Sequence, residues 1–336
     1  MIKAAIIGFG GIAKAAHMPG YARLEKEGKI KLVAVCDIDP KRFEGKMEIN
    51  IGGSNTSVNN EVKKYNDWRE MLKNEEIDMV DICLPTNLHA ETAIEVLEMG
   101  YNVLSEKPMS LCYEDSARMC EVAEKNGKKL MIGQCLRFSN EYNYIKKVVE
   151  EKEFGKVLSA TFRRLSTPPT WGWNNWFMDK NLSGGCLFDL HIHDIDIVRH
   201  IFGEPKTVAC VSQDVYAGND IVHSRLNYNN FSVLAIGDWS RKNMPFIADF
   251  SVAFEKATVE LADGTITVYP RDDEAYEPEV EAIDMYGAEI EFFAKMLETD
   301  CENATNPPES AAKTIRLIEK LGESALENGM VLPFED

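Results

Sequence analysis

Hydrophobic residues along the first third of the chain fall in short continuous runs, and these runs alternate with longer amphipathic stretches. Continuous apolar runs between helices are typical of parallel strands that helices cover on both faces. The pattern therefore predicts a doubly wound α/β fold. The predicted strands are Ile2–Ile7, Lys31–Cys36, Met79–Leu84, Asn102–Leu104 and Leu130–Gly133, and the predicted helices are Gly11–Glu27, Ala90–Glu98 and Tyr113–Asn126.

The pattern changes after about residue 135, where apolar and polar positions alternate and hairpin signals such as Asp263-Gly264 follow. This alternation predicts an α+β region with a mainly antiparallel, open sheet. We therefore expect two domains, residues 1–134 and 135–336, with a polar surface loop at Ile49–Asn60. The predicted strands are Val157–Leu165, Thr207–Val215, Val222–Tyr228, Phe231–Trp239, Ile247–Glu255, Ala257–Leu261 and Thr265–Tyr269, and the predicted closing helices are Ile283–Leu297 and Glu309–Glu327.

Charge and composition narrow the class of partner. The 336 residues include 37 basic and 55 acidic side chains, a formal net charge of -18, which disfavours binding to nucleic acid or to an anionic membrane. The eight cysteines are scattered singly, as expected for buried apolar residues in a reducing compartment. With no signal-peptide pattern or membrane span in the sequence, we expect a cytoplasmic protein.

The segment Gly8-Phe9-Gly10-Gly11-Ile12-Ala13 follows the first strand and opens the first helix. Glycines here permit a tight turn and close approach of a pyrophosphate, which the free amides of the helix N-terminus then bind. Asp37, at the end of the second strand, is placed to bind ribose hydroxyls and favours NAD over NADP. Lys41 and Arg42 follow closely, so NADP stays possible.

Two further segments end neighbouring strands of the predicted sheet, Leu84–His89 and Ser105–Pro108. Ligands of doubly wound folds bind at this edge. We expect Lys107 to point into the cofactor crevice because the following proline restricts its backbone. The expected cofactor-binding residues are Gly8, Gly10, Gly11, Ile12, Asp37, Pro85, Thr86, Asn87, His89 and Glu106.

Acidic and imidazole side chains are concentrated in an apolar stretch after Gly184-Gly185. Asp189, His193, Asp196 and His200 have the spacing of one helix face. Such a stripe fits either a metal site or a proton-transfer site. His191 and His193 point about 200° apart on a helix, which argues against shared metal ligation. Proton transfer by His193 is the preferred interpretation, no metal is expected, and His191 and His200 are interpreted as core histidines.

These motifs together resemble the Gfo/Idh/MocA oxidoreductases nearly end to end. The resemblance implies that Lys107, Asp189 and His193 line the reaction centre and that the protein is a homodimer or homotetramer. One departure is His191, where the family pattern commonly has glycine. The matching motifs are Gly8–Ala13, Asp37, Pro85–Asn87, Glu106–Pro108, Gly133–Phe138, Gly184-Gly185 with Asp189, His193 and Asp196, and Pro307–Ala311.

We therefore expect an NAD(P)-dependent oxidoreductase that acts on a secondary hydroxyl or ketone of a sugar, an inositol or a related polyol. Trp171 and Trp176 would stack on a sugar ring, and Arg137 and Arg163 are further candidates for substrate contact. Packing of the tryptophan loop on the protein surface explains its composition nearly as well. Two other functions stay open: a glycosidase-like elimination through transient oxidation, and a non-catalytic sensor of dinucleotide and sugar.

Overall fold

The computed structural model describes residues 1–44 and 61–334, so the loop predicted at Ile49–Asn60 lies outside the described residues. The chain divides into two units that are discontinuous in sequence. The first unit extends to Cys135, one residue beyond the predicted boundary, but it also takes in two later segments. The first unit comprises Met1–Cys135, Thr170–Trp176 and Asp284–Lys313, and the second comprises Leu136–Pro169, Phe177–Ile283 and Thr314–Asp336.

A six-stranded sheet forms the core of the first unit, and every neighbouring pair of its strands is parallel. The order is β3-β2-β1-β4-β5-β6, which is that of a Rossmann fold. The predicted doubly wound sheet is therefore confirmed. The strands are β1 (Ile2–Ile7), β2 (Ile30–Cys36), β3 (Lys63–Tyr65), β4 (Met79–Ile82), β5 (Asn102–Glu106) and β6 (Leu130–Gly133).

The first helix is not regular along its predicted length. Residues Ala13–His17 form a π-helical segment, and α1 (Met18–Lys26) continues from it. A π segment holds more residues per turn than an α-helix and is often found at functional sites. The other helices after β-strands of this unit are α2 (Trp68–Asn74), α3 (His89–Glu98) and α4 (Tyr113–Lys125).

The second unit is built on an eight-stranded sheet of order β13-β12-β11-β7-β10-β9-β8-β14. All neighbouring strands are antiparallel except β7 and β10, so the predicted mainly antiparallel sheet is confirmed. The strands are β7 (Val157–Leu165), β8 (Thr207–Gln213), β9 (Ile221–Asn227), β10 (Ser232–Asp238), β11 (Ile247–Phe254), β12 (Ala257–Ala262), β13 (Thr265–Pro270) and β14 (Leu332–Pro333).

Helices cover one face of this sheet, and the other face carries exposed side chains such as Val211 and Leu234. The stretch predicted as one helix from Asp189 to His200 is two helices, because α7 ends at Asp189 and α8 begins at Ile192. The predicted continuous face is therefore wrong. The helices are α5 (Asn140–Glu151), α6 (Lys180–Ser183), α7 (Gly185–Asp189) and α8 (Ile192–Phe202).

Two long helices complete the fold, α9 (Met285–Thr299) and α10 (Pro308–Leu326). Helix α9 packs against α1 within the first unit. A Cβ built on Gly20 would lie 2.6 Å from the Cα of Gly287, so the two backbones touch and both positions need glycine. No helix within residues 1–44 and 61–334 has the length and apolar character needed to cross a membrane.

Candidate active site

The glycine-rich turn after β1 has the geometry of a phosphate-binding loop. Gly8 has a φ of +91°, and a Cβ there would lie 2.6 Å from the carbonyl oxygen of Cys83, so only glycine fits. Around Gly10, no described heavy atom lies within 4 Å of a built Cβ, which leaves room for a ligand. The helix begins at Gly11, so the amides of Gly11 and Ile12 lie at its N-terminus, where anions bind.

Asp37 is fixed against this turn. One carboxylate oxygen accepts the amide of Phe9 at 2.9 Å, and the other accepts the amide of Asp39 at 2.9 Å. Partial burial raises the pKa of Asp37, against the opposing effect of these two amides. Each oxygen keeps a second acceptor site, as a pair of ribose hydroxyls requires. The residues present therefore fit the adenosine end of a dinucleotide.

Two cationic side chains lie near Asp37. The ammonium of Lys14 lies 5.4 Å from the centre of the Phe9 ring and donates to the carbonyl of Glu44 at 3.2 Å. Burial lowers the pKa of Lys14, and the charge of Arg42 lowers it further, while Asp37 opposes the change. The sequence pattern directed attention to Lys41 and Arg42 but not to Lys14.

The segment after β4 is tied to the Lys107 turn by His89. The ring is buried, with its Nδ1 2.7 Å from the carbonyl oxygen of Pro108 and its Nε2 2.7 Å from that of Leu84. Burial lowers the pKa of His89. His89 therefore supports the backbone of both segments, which differs from the predicted direct contact with cofactor. Thr86 is also buried, Pro85 is half-buried, and Asn87 is exposed.

Lys107 follows the last residue of β5 and is half-buried. Its amide donates to the carboxylate of Glu106 at 3.1 Å, and the other oxygen of Glu106 lies 2.9 Å from Nε2 of His17. Both oxygens of Glu106 are therefore bound within the protein. This arrangement corrects the predicted cofactor contact of Glu106, because its carboxylate holds the turn that presents Lys107.

The glycines before α7 determine where Asp189 lies in the second unit. Gly184 and Gly185 have φ of +74° and +70°, which side chains rarely adopt. A Cβ on Gly185 would also overlap the carbonyl oxygen of Gly218. The amides of Leu190 and His191 both donate to the carbonyl of Cys186, at 3.0 and 2.8 Å, and this break separates α7 from α8.

Asp189 and His193 lie on the two sides of this break, and both are half-buried. Asp194 and Asp196 are fully buried and point into ion pairs. Arg164 donates two hydrogen bonds to Asp194, both at 3.0 Å. Burial nonetheless raises the pKa of Asp194. The acidic residues that the sequence suggested as one stripe therefore differ in their surroundings: Asp189 is half-buried, whereas Asp194 and Asp196 form buried ion pairs.

Arg137 forms the second of these ion pairs. Its guanidinium donates to both carboxylate oxygens of Asp196, at 2.8 and 2.7 Å, and the hydroxyl of Thr314 donates to the same carboxylate at 2.7 Å. Burial opposes ionisation of Asp196, but the charge of Arg137 and the hydrogen bonds from Arg137 and Thr314 together outweigh it and lower the pKa of Asp196. The predicted substrate contact of Arg137 is therefore corrected, because its side chain is buried and two of its guanidinium nitrogens bind Asp196.

His191 is a core histidine, as predicted. It is fully buried, its Nε2 lies 2.8 Å from the hydroxyl of Ser224, and burial lowers its pKa to about 3. His200 is half-buried, and burial lowers its pKa to about 4.

The other predicted substrate residues lie in different places. Arg163 lies on β7, where its half-exposed side chain donates to Asp249 at 2.8 and 2.5 Å. This pairing occupies the guanidinium with a neighbouring strand. Trp171 and Trp176 belong to a short segment of the first unit and are half-buried, while Trp173 between them is exposed.

Sequence reasoning missed two buried ionisable residues of the first unit, His17 and Glu289. Both have an exposed fraction of 1% or less. Each lies on an apolar helix face, and a lone titratable residue there signals either a satisfied core group or a partner elsewhere. The hydrogen-bond partners of His17 are distant in sequence, and the burial of Glu289 depends on tertiary packing, so only the fold identifies the two residues.

Comparison with known proteins gives two family-model matches. Residues 2–134 match the model described as an oxidoreductase family with an NAD-binding Rossmann fold, named for Gfo, Idh and MocA. Residues 142–260 match the model of the GFO/IDH/MocA C-terminal domain. Together the two models cover most of the chain.

Curated relatives are similar over part of their length. The chain is 28% identical over 237 residues to 2,7-anhydro-N-acetylneuraminate hydratase of Escherichia coli K12, which covers 68% of this chain and 56% of the relative. It is 29% identical over 204 residues to D-glucoside 3-dehydrogenase of the same organism, 61% of this chain and 55% of the relative. The matches therefore span just over half the length of these relatives.

Among solved structures, the fold is similar to that of aldose-aldose oxidoreductase from Caulobacter crescentus, determined with glycerol. The TM-score is 0.83 at 21% identity, and the match covers 99% of each chain. At 21% sequence identity, this structural similarity establishes the fold of the chain.

Proposed function

Because the chain belongs to the Gfo/Idh/MocA oxidoreductase family, with an NAD-binding Rossmann domain, we propose that it is a nicotinamide-dependent dehydrogenase or reductase. Its substrate in this proposal is a sugar, an inositol or a related polyol, and the reacting group is a secondary hydroxyl or the corresponding ketone.

One observation carries the proposal. The glycine turn, Asp37 and Lys107 follow β1, β2 and β5, three strands of one parallel sheet, so all three lie at the same edge. Ligands of open α/β sheets bind at this edge, where the strand order reverses. A lysine with only a structural role would not need to lie at the same edge as an adenosine-binding carboxylate and a phosphate-binding loop.

The proposed roles of the side chains follow from the proton and charge changes of alcohol oxidation. When bound, the nicotinamide ring accepts a hydride from the alcohol carbon. His193 takes the hydroxyl proton, since an imidazole is suited to general base catalysis near neutral pH. Lys107 donates a hydrogen bond to the same oxygen and stabilises developing negative charge. Asp189 orients His193 or binds a neighbouring hydroxyl. Ketone reduction uses the same groups in reverse.

The proposed cofactor preference is NAD over NADP. The carboxylate of Asp37 would repel the 2'-phosphate of NADP. Lys14 and Arg42 reduce that repulsion, so binding of NADP with lower affinity is expected.

The proposed substrate class has two supports. One relative is named as a D-glucoside 3-dehydrogenase, and this name describes the oxidation of a sugar derivative. Trp171 and Trp176 supply aromatic surface of the kind that stacks on sugar rings. On these grounds we propose that the two aromatic side chains contact the substrate, whereas Arg163, which is paired with Asp249, has no assigned role.

A second candidate reaction is supported by the relative named as a hydratase of 2,7-anhydro-N-acetylneuraminate. Addition or removal of water at a sugar carbon is helped when oxidation of a neighbouring hydroxyl acidifies the C–H bond between them. In this alternative the hydride returns to the product, so no reduced nicotinamide accumulates. The non-catalytic sensor is less favoured, because it has no use for Lys107, Asp189 and His193 together.

We also propose that the protein is a cytoplasmic homodimer or homotetramer. The uncovered face of the eight-stranded sheet supports this, because it exposes apolar side chains including Val211 and Leu234. Light scattering on the purified protein tests the assembly state, and a monomer at micromolar concentration would contradict it.

A substrate panel tests the proposed function. Sugars, inositols and polyols are incubated with NAD+ or NADP+, and the absorbance of the reduced nicotinamide is followed together with product mass. We expect turnover of at least one substrate with NAD+, reduced roughly 100-fold or more in Lys107→Ala. The matched control is Lys64→Ala, an exposed lysine of β3, which should retain full activity.

Three outcomes separate the candidates. Accumulation of reduced nicotinamide supports the dehydrogenase. A product that has lost or gained water, without reduced nicotinamide, supports the elimination reaction. Tight dinucleotide binding with no turnover of any substrate would overturn both and favour the sensor.

A further inference from the structure

Seven ionisable side chains of the first unit cluster around His17, and the proposed chemistry uses only Glu106 among them, indirectly. They come from different elements of the unit: the π segment and α1, the end of β4, the end of β5, and helix α9. Most of them have an exposed fraction below 7%. The cluster comprises His17, Tyr21, Asp81, Cys83, Glu106, Tyr286 and Glu289.

His17 lies between two carboxylates. Its Nδ1 is 2.7 Å from a carboxylate oxygen of Asp81, and its Nε2 is 2.9 Å from a carboxylate oxygen of Glu106. A neutral imidazole has one N–H and one lone pair, and an ionised carboxylate can only accept. With Asp81 and Glu106 both ionised, both contacts are therefore hydrogen bonds only when the ring carries two protons. The ring then joins the ends of two neighbouring strands, β4 and β5.

We propose that His17 is a permanently protonated clamp that positions Lys107 through Glu106. The carboxylate oxygen of Glu106 that does not face His17 accepts the amide of Lys107 at 3.1 Å. One imidazolium thus fixes one carboxylate, and that carboxylate fixes the backbone of the turn. The contribution of the clamp to catalysis rests on the proposed role of Lys107. The protonation of His17 does not depend on that role.

The surroundings of His17 favour its charged form. Burial opposes the charge, but the charge of Asp81 and the interactions with Asp81 and Cys83 together outweigh it, and the pKa of His17 is raised well above its ordinary value. Asp81 is itself held by the hydroxyl of Tyr21 at 3.0 Å and by the thiol of Cys83 at 3.5 Å. The ring of Tyr286 packs at 5.9 Å from that of His17 and brings no charge.

Glu289 completes the charge balance as a neutral acid. Its side chain is fully buried, and neither carboxylate oxygen has a hydrogen-bond partner among the described residues. An ionised Glu289 would be a third anion beside Asp81 and Glu106, with one imidazolium to offset them. Burial, followed by repulsion from Glu106, raises the pKa of Glu289 well above its ordinary value. Of the four groups His17, Asp81, Glu106 and Glu289, two therefore carry an added proton at neutral pH: His17 as an imidazolium and Glu289 as a neutral acid.

A divalent cation is the competing explanation. One ligand atom from each of His17, Glu106 and Glu289 lies within 4.8 Å of the others. Both ring nitrogens of His17 lie at hydrogen-bond distance from a carboxylate oxygen, which favours protons over a metal ion between these groups. A bound cation would occupy a ring lone pair, and the ring could not then carry its second proton.

Nuclear magnetic resonance of the full chain labelled with 15N-histidine tests the clamp directly. The protein has six histidines, and His17→Gln identifies the signals of His17 by their loss. We expect both ring nitrogens of His17 to carry protons from pH 6 to pH 9, with no titration. A single protonated nitrogen at pH 7, or titration near the ordinary value of about 6.5, would overturn the proposal. A stoichiometric divalent metal in purified protein that Glu289→Gln removes would also overturn it.

Turnover measurements test the positioning role. In His17→Gln the cluster loses its imidazolium and keeps an uncompensated buried negative charge, so proton uptake by the cluster at lower pH weakens its hold on the amide of Lys107. We expect the loss of kcat relative to wild type to deepen about tenfold or more as the pH falls from 8 to 6. A merely structural role would lower kcat by the same factor at every pH, and that result would overturn the positioning role.

The control variant is His200→Gln, which replaces a half-buried histidine of the second unit. Its turnover should follow the wild-type pH dependence. If the wild-type protein oxidises or reduces no compound of the panel, the proposed function fails, and the histidine spectra still decide whether His17 is a protonated clamp.

Discussion

The guanidinium of Arg137 donates two hydrogen bonds to the carboxylate of Asp196, and both side chains are at most 2% exposed. The two residues are 59 positions apart in sequence and join the start of the second unit to helix α8. Residues that looked like candidates for substrate contact and for an acidic catalytic stripe therefore neutralise each other in the core.

Removal of one partner of this pair should destabilise the protein strongly. Asp196→Asn leaves the buried charge of Arg137 without its counter-ion, and we expect a loss of about 3–5 kcal/mol in the free energy of unfolding by urea. The control is Asp249→Asn, which disrupts the pair with half-exposed Arg163 and should cost about 1 kcal/mol or less. Unchanged stability together with a raised substrate KM in Asp196→Asn would return Arg137 to substrate binding.

Gly185 should not tolerate even one added carbon. In Gly185→Ala the new Cβ overlaps the carbonyl oxygen of Gly218, and alanine also disfavours the positive φ. We expect a loss of about 2–4 kcal/mol in the free energy of unfolding. Gly322→Ala provides the matched control. Gly322 lies inside helix α10, and its new Cβ would be 3.5 Å from Leu187, which is an ordinary contact distance. That change should be neutral or stabilising by up to about 1 kcal/mol. Equal effects of the two substitutions would contradict the close contact at Gly185.

Asp37 should decide the choice between dinucleotides. Asp37→Asn removes the charge that repels a 2'-phosphate and weakens acceptance of the ribose hydroxyls. We expect the Kd for NADH to rise and that for NADPH to fall, each by roughly tenfold, which corresponds to about 1.4 kcal/mol. Fluorescence titration measures both constants without a substrate. Asp39→Asn is the control, since the side chain of Asp39 accepts the amide of Lys41 within its own turn. A preference for NADPH in the wild-type protein would contradict the assigned role of Asp37.

Acid should destabilise the protein partly through His191. Its pKa in the folded protein is about 3, below the ordinary 6.5, so the unfolded chain binds the extra proton. The contribution of His191 to stability is therefore complete above pH 6.5 and is lost progressively as the pH falls towards 3. Between pH 8 and pH 5 the wild type should lose about 2 kcal/mol more than His191→Gln in urea unfolding. Parallel losses in the two proteins would mean that His191 accepts a proton without unfolding.

Hydrophobic patterning predicted most elements because their burial is one-sided or complete. The bounds of β1 and β7 are those expected from the sequence, whereas the short strand β3 and the helices α2 and α5 were not predicted. The break between α7 and α8 was not predictable in this way. Apolar residues continue through Leu190 and Ile192 with helical spacing, and the break depends on glycine conformations and on the carbonyl of Cys186.

The residues of the candidate site likewise fall into those that the sequence could place and those that only the fold reveals. The glycine turn, Asp37 and Lys107 could be placed from sequence, because strand ends fix their position. The partners of His17 lie 64 and 89 residues away, and no local pattern connects them. For the same reason, sequence reasoning assigned Glu106 to the cofactor although its carboxylate is held by His17 and by the next amide.

Helix α9 gives the first unit an order of assembly during synthesis. The ribosome has made more than four-fifths of the chain before it reaches Gly287, whose backbone touches that of Gly20. Until then a nascent Rossmann sheet lacks the helix that covers α1 and supplies Glu289. The dinucleotide-binding unit is thus completed only after most of the second unit has been synthesised, so a chain cut after residue 135 lacks part of the first unit and should require chaperones rather than bind dinucleotide on its own.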